Sequence, residues 1–513
     1  MKKTYKFKSI LFLACLVFST ACDDLNTFNN NNPAREDLLS SGTDLQTVLQ
    51  GGYVAFWQAV HDVHPAMALM VTSDTYSISW GNFGMQRMGD EPRKAYNNRS
   101  SEESDYKQVV EDPWYGCLSA TSTANDILGA LDRGVTLDKG GDQDLTIEAS
   151  AYFLRGVSWG YLGLIFDQAT LADETDDITQ TLPFTPYREV IEAAIAELEK
   201  AIAIAESAND GFFHNYFNGV ELDKASFIQL CHSYAARFLT QWPRTQMENE
   251  QVNWTTVLEH AEQGIQFNFA PEADGAFWQS YHQLAFRETG QGPFWARVDQ
   301  RLVAAFDRFQ PARYPETQAL GEEPIPEREA ISKDARLESD FFFEFNNNFP
   351  ADRGEWHFSH YKHNRNITDP GFAGNGSTSG PMPAFRQADN ELLVIEAQLR
   401  LGKRKIAIDM LNQGTRKIRG TLPSILNTAL LEEVEKEIMY ERAIELLSTA
   451  PYSLWFDRRR IGPRLPFKEV TPLGGLQIGT PAHLPVPADE LAIHGLKPYS
   501  FGGPQDPEGI VGF

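Results

Sequence analysis

The chain has 513 residues, of which 42% are hydrophobic and 12% aromatic, so it can fill a sizeable core and is neither disordered nor fibrous. Its 70 Asp and Glu residues outnumber 45 Lys and Arg residues, and the net charge of −25 argues against a nucleic-acid partner because it repels phosphate backbones. The mean hydropathy of −0.37, with a single apolar run of membrane character, excludes a protein that spans the membrane several times.

The apolar run lies at the N-terminus. Four lysines within the first eight residues precede the nine-residue stretch Ile10–Phe18, and small residues then lead to Cys22. This arrangement predicts a secretory signal peptide over residues 1–21, too short for a stop-transfer helix. The residues before Cys22 are similar to the lipobox of bacterial lipoproteins, so Cys22 is the predicted lipid attachment site. The alternative is a free thiol behind an ordinary cleavage site.

Residues 22–33 are polar and rich in Asn, which predicts a lipidated, flexible tether. Residues 34–513 are then expected to form a single composite domain. Once the signal peptide and the lipidated residue are set aside, Cys117 and Cys231 are the remaining cysteines. Two cysteines form no disulfide framework and lack the spacing of zinc ligands, so both are interpreted as core residues, with a single bridge between them left open.

Several segments place apolar residues at three- and four-residue spacing, which predicts amphipathic helices. The predicted helices cover residues 145–166, 186–205, 224–241, 253–267, a hairpin over 389–419, and 428–447. Thr185 is the predicted N-cap of the second helix, with Pro186 as its first helical residue. In the hairpin, Gly402 can take the left-handed cap, and in the last helix Glu432 and Lys436 have the spacing of an ion pair.

The hairpin places two helices in about 32 residues, close to the length of a tetratricopeptide (TPR) repeat. Long stretches rich in Gly, Pro, Asn and aromatic residues separate the helices, near residues 74–113, 268–297, 309–388 and 460–513. Ten tryptophans argue against disorder in such stretches. The predicted fold is therefore all-α dominated, a TPR-like helical-repeat scaffold with a large loop-rich cap.

No catalytic constellation can be placed. The segment Gly156–Gly160 matches the pattern Gly-x-Ser-x-Gly, but it lies within a helical pattern without the preceding strand that a nucleophile elbow requires. His357, His360 and His363 do not share one face on a helix or on a strand, and no acidic residue stands at a diagnostic spacing. No metal site is therefore predicted from them.

Two acidic clusters leave a structural calcium ion possible, although neither has the spacing of a calcium-binding loop, and solvated acidic loops are the simpler interpretation. The clusters comprise Asp138, Asp142 and Asp144, and Asp173, Glu174, Asp176 and Asp177. No other cofactor is expected.

The aromatic loop segments are the candidate ligand-binding residues. Flat rings beside amide, carboxylate and guanidinium groups suit the apolar faces and hydroxyls of sugars; they also suit peptides, or serve only to pack a loop. The first loop contributes Asp74, Tyr76, Trp80, Asn82, Phe83 and Arg87, and other loops contribute Trp278, Trp295 and Trp356. Trp80 is the strongest single candidate.

Several motifs, in order along the chain, resemble those of the SusD/RagB family of nutrient-binding outer-membrane lipoproteins. They are Ser73-Asp74, Trp114-Tyr115 with Asn125–Leu128, Glu391–Leu411, Tyr440–Leu446, Leu454–Arg459 and Gly479–Pro487. The turn over residues 448–454 departs from the family pattern. Read from the residues alone, Glu441 and Arg459 are expected in structural ion pairs, and Trp455 and Phe456 in the core.

The resemblance implies a helical scaffold anchored by lipid to the outer membrane, facing the cell exterior. It implies capture of an oligosaccharide or other glycan without chemistry, and delivery to a SusC-like TonB-dependent transporter. Peptide capture by the same kind of complex is the alternative, followed by a surface hydrolase.

Overall fold

The helices of the chain form a scaffold in the computed structural model of the protein. The structure describes residues 39–81, 84–99, 104–177, 179–279, 296–314, 329–345, 356–365, 379–449 and 452–513. The signal peptide, Cys22 and the tether lie outside the described residues, so their assignment stays a prediction. In the described part of the chain, no helix is both long and apolar enough to cross a membrane.

The longer helices account for most of the regular structure. They are α1 (Gly42–His61), α2 (Val63–Thr72), α3 (Ser104–Asp132), α4 (Asp142–Ile165), α5 (Tyr187–Ser207), α6 (Lys224–Gln241), α8 (Trp254–Glu262), α11 (Gln387–Arg400), α12 (Arg404–Leu411), α14 (Leu431–Glu445) and α15 (Ser453–Ile461). Short helices lie between them: α7 (Gln246–Asn249), α9 (Gln300–Phe306), α10 (Arg336–Asp340), α13 (Thr415–Ile418) and α16 (Ala488–Ile493).

The scaffold helices pack largely in chain order. Helix α1 packs on α3, α3 on α4, α4 on α5 and α5 on α6, after which α6 contacts α8, α8 contacts α11, and α11 contacts both α12 and α14. Packing against sequence neighbours is the arrangement of helical-repeat proteins. The predicted all-α dominated, TPR-like scaffold is therefore confirmed.

The helix predictions hold best where capping and periodicity agree. Helix α6 has the predicted bounds, and the Asp223 side chain caps it by accepting from the Ser226 amide at 2.8 Å. The predicted start of α5 was wrong: Pro186 is the N-cap, and Thr185 pairs with Ala169 in a strand. The helix expected over 253–267 is shorter, because it ends at Glu262.

The Gly-x-Ser-x-Gly segment lies inside α4, and its glycines have a packing role. A Cβ on Gly160 would lie 2.1 Å from the ring of Phe238 on α6, and one on Gly156 would lie 3.0 Å from Leu198 on α5. The Ser158 hydroxyl is fully buried and donates to the Leu154 carbonyl at 2.7 Å. The segment is therefore the place where three helices approach closely, as expected for a helix rather than a nucleophile elbow.

The strands are short and pair two by two in antiparallel fashion. They are β1 (Tyr76–Ile78) with β7 (Ala296–Val298), β2 (Gln168–Thr170) with β3 (Phe184–Pro186), β4 (Phe213–His214) with β5 (Leu222–Asp223), β6 (Glu272–Asp274) with β10 (Ser379–Pro381), and β8 (Phe341–Phe343) with β9 (Tyr361–His363). Most of them lie in the regions predicted to be loops, where they connect segments distant in sequence.

The hydrophobic core has two parts. A large cluster joins α1 to α8 with the strands, and it contains the fully buried Trp455 and Phe456 of α15, as predicted. A smaller cluster lies between α11, α12 and α14. The turn between α11 and α12 is closed by Gly402, whose φ of 77° is the left-handed conformation that the sequence predicted. Cys117 and Cys231 are buried and free, so no bridge joins them.

Three consecutive arginines of α15 connect different parts of the fold. Arg458 pairs with Asp74 in the first loop, and Arg460 pairs with Glu396 on α11. Arg459 was expected in an ion pair, but it donates to the carbonyls of Leu164, Gln241 and Ala482 instead. A buried guanidinium with five donors can satisfy the ends of several segments at once, and here it does so without a carboxylate.

Candidate ligand-binding surface

The strand pair β1–β7 positions the first candidate loop. Ile78 pairs with Ala296, and the chain continues from Ile78 to Trp80, whose carbonyl accepts from the Gln86 amide at 3.0 Å. The Trp80 ring is half-buried against the main core, and Arg87 is exposed in the short turn that follows. Both side chains are therefore accessible to a ligand.

Asp74 lies at the start of this loop, but its side chain is buried in the protein interior. Its carboxylate is fully buried and lies 2.5 Å from Arg93, 2.8 Å from Arg301 and 2.7 Å from Arg458. Burial alone would raise the pKa of Asp74, but the three guanidinium groups hold that pKa well below its usual value. The residue therefore ties three distant segments together, and its burial does not support the predicted contact with a ligand.

Glu91 holds His357 and Arg313 in place beneath the surface that contains Trp356. Its carboxylate accepts from His357 Nε2 at 2.5 Å and from Arg313 Nε at 2.8 Å. Burial opposes ionisation, yet the hydrogen bond from His357 and the nearby arginines lower the pKa of Glu91 to about 2. The fixed guanidinium of Arg313 then lies 4.8 Å from the ring centroid of Trp356 and 5.4 Å from that of Phe467.

Trp356 is half-buried, and Phe467 is half-buried beside it. Two accessible aromatic rings around one guanidinium offer flat apolar faces next to hydrogen-bond donors. The accessibility of Trp356 is consistent with a ligand contact, which stays a prediction. Phe467 was missed, because nothing in the sequence shows that it meets Arg313 across more than 150 residues.

The remaining predicted residues divide into two groups. Tyr76 is buried and its hydroxyl bonds the Ser448 hydroxyl at 2.8 Å, and Trp278 is buried with its ring 5.5 Å from that of Trp57. Neither ring offers a free face, so packing, the alternative considered from the sequence, describes both of them. Asn82, Phe83 and Trp295 lie outside the described residues.

The strand register separates the two accessible tryptophans. Trp80 follows the end of β1 that pairs with Ala296, whereas Trp356 precedes His357, whose carbonyl accepts from the Gln300 amide at 2.7 Å. Ala296 is the first residue of β7, whereas Gln300 is the first residue of α9, two residues beyond the end of that strand. Trp80 and Trp356 therefore follow and precede residues that pair with different ends of the segment 296–300.

The other polar clusters from the sequence have internal partners. Asp144 accepts from the amides of Leu137 and Gly140 at 2.6 and 2.5 Å, and Asp142 accepts from the Asn209 amide at 2.7 Å. His360 Nδ1 bonds the Glu344 carbonyl at 2.8 Å. In the described ranges, no group of three or more His, Cys, Asp or Glu side chains is arranged to hold a metal ion.

A groove along α14 was not anticipated from the sequence. It consists of two adjoining cavities, of about 570 and 520 Å³, that share Lys436 and Leu473 in their walls. The larger cavity lies between α11, α14 and the segment 461–475, and its walls include Leu399, Ile438 and Met439. Both volumes are in the range of pockets that hold small molecules.

The smaller cavity lies between the end of α9, residues 331–333 and α14. Phe309 and Ile331 line it and are 71% and 75% exposed, which is unusual for side chains of this size. Tyr440 forms part of the wall and donates its hydroxyl to Asp334 at 2.8 Å. The lining comes from five separate segments, so no local motif could have identified it.

Comparison with known proteins places the fold. No protein-family model matches the chain, and no curated protein matches it. Solved structures do match: a SusD superfamily protein from Bacteroides vulgatus (TM-score 0.57, 13% identity, 88% of this chain and 97% of that one) and a SusD homolog from Bacteroides thetaiotaomicron (0.58, 16%, 81% and 88%). A SusD-like carbohydrate binding protein from Bacteroides fragilis also matches (0.57, 12%, 82% and 86%). These likenesses confirm the fold that the sequence resemblance implied.

Proposed function

We propose that this chain, which has the fold of the SusD superfamily, is a non-catalytic surface lipoprotein that captures oligosaccharides. The observation that carries the proposal is the structural likeness over more than four-fifths of the chain, which extends to proteins named as SusD-like carbohydrate-binding proteins. A fold alone does not fix a function, so particular accessible residues must supply the binding.

The accessible aromatic and cationic side chains of the cap support this proposal. Trp80 and Arg87 form one candidate contact region, and Trp356 with Arg313 and Phe467 forms another. Sugar rings stack their C–H faces on aromatic rings, while guanidinium groups donate to hydroxyls. Such surfaces bind without reacting, and the one serine motif of the sequence is buried inside α4.

Attachment and partner complete the proposal. Cys22 carries the lipid after removal of residues 1–21, and the tether 22–33 links it to the body at the cell exterior. Stable membrane attachment needs more than one acyl chain, which a lipidated N-terminal cysteine provides. The captured glycan passes to a SusC-like TonB-dependent transporter in the outer membrane.

Affinity electrophoresis of the soluble body, residues 34–513, in gels containing single polysaccharides tests the capture. We expect retardation by at least one glycan, with no release of shorter products from it. Retardation by a peptide pool but by no glycan would favour peptide capture, and product release would favour a hydrolase. Co-purification of a TonB-dependent transporter with the full-length protein from detergent-solubilised membranes tests the partnership.

A further inference from the structure

We infer that the smaller cavity of the groove along α14 binds an anionic oligosaccharide, one that carries uronate or sulfate groups. The larger cavity is not included, because its charged residues are Glu396, Glu432 and Glu435 against Arg400 and Lys436. The inference rests on the proposed function and names the class of glycan. It starts from the charges that line the smaller cavity, which are four cationic and two acidic: Arg308, Lys333, Arg416 and Lys436 against Asp307 and Glu437.

Both carboxylates of the cavity already have partners. Glu437 pairs with Arg416 Nε at 2.8 Å. Asp307 accepts from the backbone amides of Phe309 at 2.9 Å and Ile331 at 3.0 Å, and so holds the two lips of the cavity in place. The charge of Glu437 is cancelled by that of Arg416, and the hydrogen bonds from neutral amides leave the negative charge of Asp307 in place. The six charged side chains of the smaller cavity therefore sum to +2.

Arg308, Lys333 and Lys436 remain as the available cations. Each of these three residues is exposed, and within the described ranges no carboxylate lies within ion-pair distance of any of them. The sequence suggested a pair between Lys436 and Glu432, but the two side chains form none. Three available cations in one cavity contrast with the net charge of −25 of the whole chain.

This contrast selects for an anionic ligand. An anionic ligand is repelled by the net negative charge of the whole chain and attracted to the cations of the smaller cavity, so electrostatics favours binding in this cavity. Lys and Arg donate charge-assisted hydrogen bonds to carboxylate and sulfate oxygens.

The apolar walls select for a sugar rather than a small inorganic anion. The exposed ring of Phe309 lies 4.9 Å from the Arg308 guanidinium carbon, so a ring face and a donor stand side by side. Ile331 and Tyr440 extend the apolar wall of the smaller cavity. A chain of acidic sugars presents apolar ring faces next to negative groups, which match the adjacent aromatic ring and cations of the cavity.

The test measures binding of the soluble body to polygalacturonate, chondroitin sulfate and their neutral counterparts, methyl-esterified polygalacturonate and desulfated chondroitin. We expect at least one anionic glycan to bind 10-fold or more tightly than its neutral counterpart, and this affinity to fall as salt rises. The variant Lys333→Glu/Lys436→Glu is expected to lose at least 10-fold in that affinity. Lys139→Glu/Lys497→Glu, which changes the same charge at two exposed lysines outside both cavities, is expected to stay within twofold.

Phe309→Ala provides a second variant that leaves the charge unchanged, and it is expected to weaken the same glycan at least fivefold. Equal affinity for charged and neutral glycans, or no effect of the groove variants, would overturn the inference while leaving glycan capture intact. Binding of acidic peptides with no retention by any glycan would overturn both. Thermal unfolding of each variant, expected to match the parent because the altered residues are exposed, excludes misfolding as the cause.

Discussion

Arg336 and Glu441 meet through two parallel hydrogen bonds, from Nη1 to Oε2 at 2.8 Å and from Nη2 to Oε1 at 2.7 Å. Both side chains are buried, and Arg336 also contacts Asp334 and Glu445. Glu441 lies on α14 and Arg336 on α10, which follows the groove segment 331–333. The expected structural role of Glu441 is confirmed, and the pair fixes one wall of the groove to the other.

Removing Arg336 is expected to destabilise the protein strongly. Arg336→Ala leaves the carboxylates of Asp334 and Glu441 buried without their partner, and breaking a buried pair costs about 3–5 kcal/mol. Urea unfolding followed by circular dichroism measures the change. Lys405→Ala, which breaks an exposed pair with Asp409, is the control and is expected to cost under about 0.5 kcal/mol. Equal effects of the two substitutions would contradict the role of Arg336.

Gly160 and Gly51 both lie within helices, but we expect opposite effects from the same substitution. Gly160→Ala forces a methyl group against Phe238, and overpacking of this kind costs about 1–3 kcal/mol. Gly51 is exposed on α1 with nothing near its missing Cβ, so Gly51→Ala is expected to stabilise the protein by up to about 1 kcal/mol. The free energies of unfolding of the two variants should therefore change with opposite sign.

Glu91 is expected to make stability depend on pH in the acid range. Its pKa is about 2 in the folded protein, below its ordinary value of 4.5, so its contribution is fully present above pH 4.5. That contribution, about 3 kcal/mol, is lost as pH falls through the folded pKa. In Glu91→Gln the fall in unfolding free energy between pH 5 and 2 should be shallower than in the parent. An unchanged slope would show that other carboxylates carry the dependence.

Trp80 and Trp356 are expected to contribute to glycan affinity. Stacking on an aromatic ring is worth about 1–3 kcal/mol for nucleic-acid bases, and a similar loss is expected for a sugar ring in Trp356→Ala or Trp80→Ala. Isothermal titration with the glycan identified by electrophoresis measures it. Phe213→Ala removes a ring that is 46% exposed on β4 and should leave the affinity unchanged. Unaltered affinity in both tryptophan variants would remove these residues from the site.

Cys22 is expected to be the lipid anchor. Cys22→Ala should move the protein from the membrane fraction to the soluble fraction, because a chain without acyl groups lacks the required hydrophobic attachment. The measurement belongs in a strain without the partner transporter, since docking to it would also sediment the protein. Circular dichroism of the released protein should match that of the soluble body. Membrane retention in that strain would show that the anchor lies elsewhere.

The sequence predicted the scaffold well because helix signals are local. The bounds of α6 follow from apolar spacing and the cap Asp223, all within about 20 residues. The left-handed conformation of Gly402 was likewise predictable, because glycine is the residue that most readily adopts it. Thr185 shows the limit: its cap-like position was overruled by pairing with Ala169, which periodicity cannot indicate.

The candidate site was less predictable because it depends on contacts between distant residues. Asp74 and Trp80 stand six positions apart in one loop, yet one is enclosed by arginines from three segments and the other reaches the surface. Composition marks such a loop as aromatic and polar, but it does not decide which side chains face solvent. The groove at Phe309 and Lys436 has the same origin, since its walls meet only after folding.

The arginine triplet of α15 has a consequence for the order in which the chain can fold. A polypeptide emerges N-terminus first from a ribosome or a translocation channel, so the scaffold helices up to α14 are complete before Arg458–Arg460. Until those residues emerge, Asp74 lacks one of its three cations and the carbonyls of Leu164 and Gln241 lack their donor. These contacts of the native fold therefore form only once the C-terminal part of the chain is available.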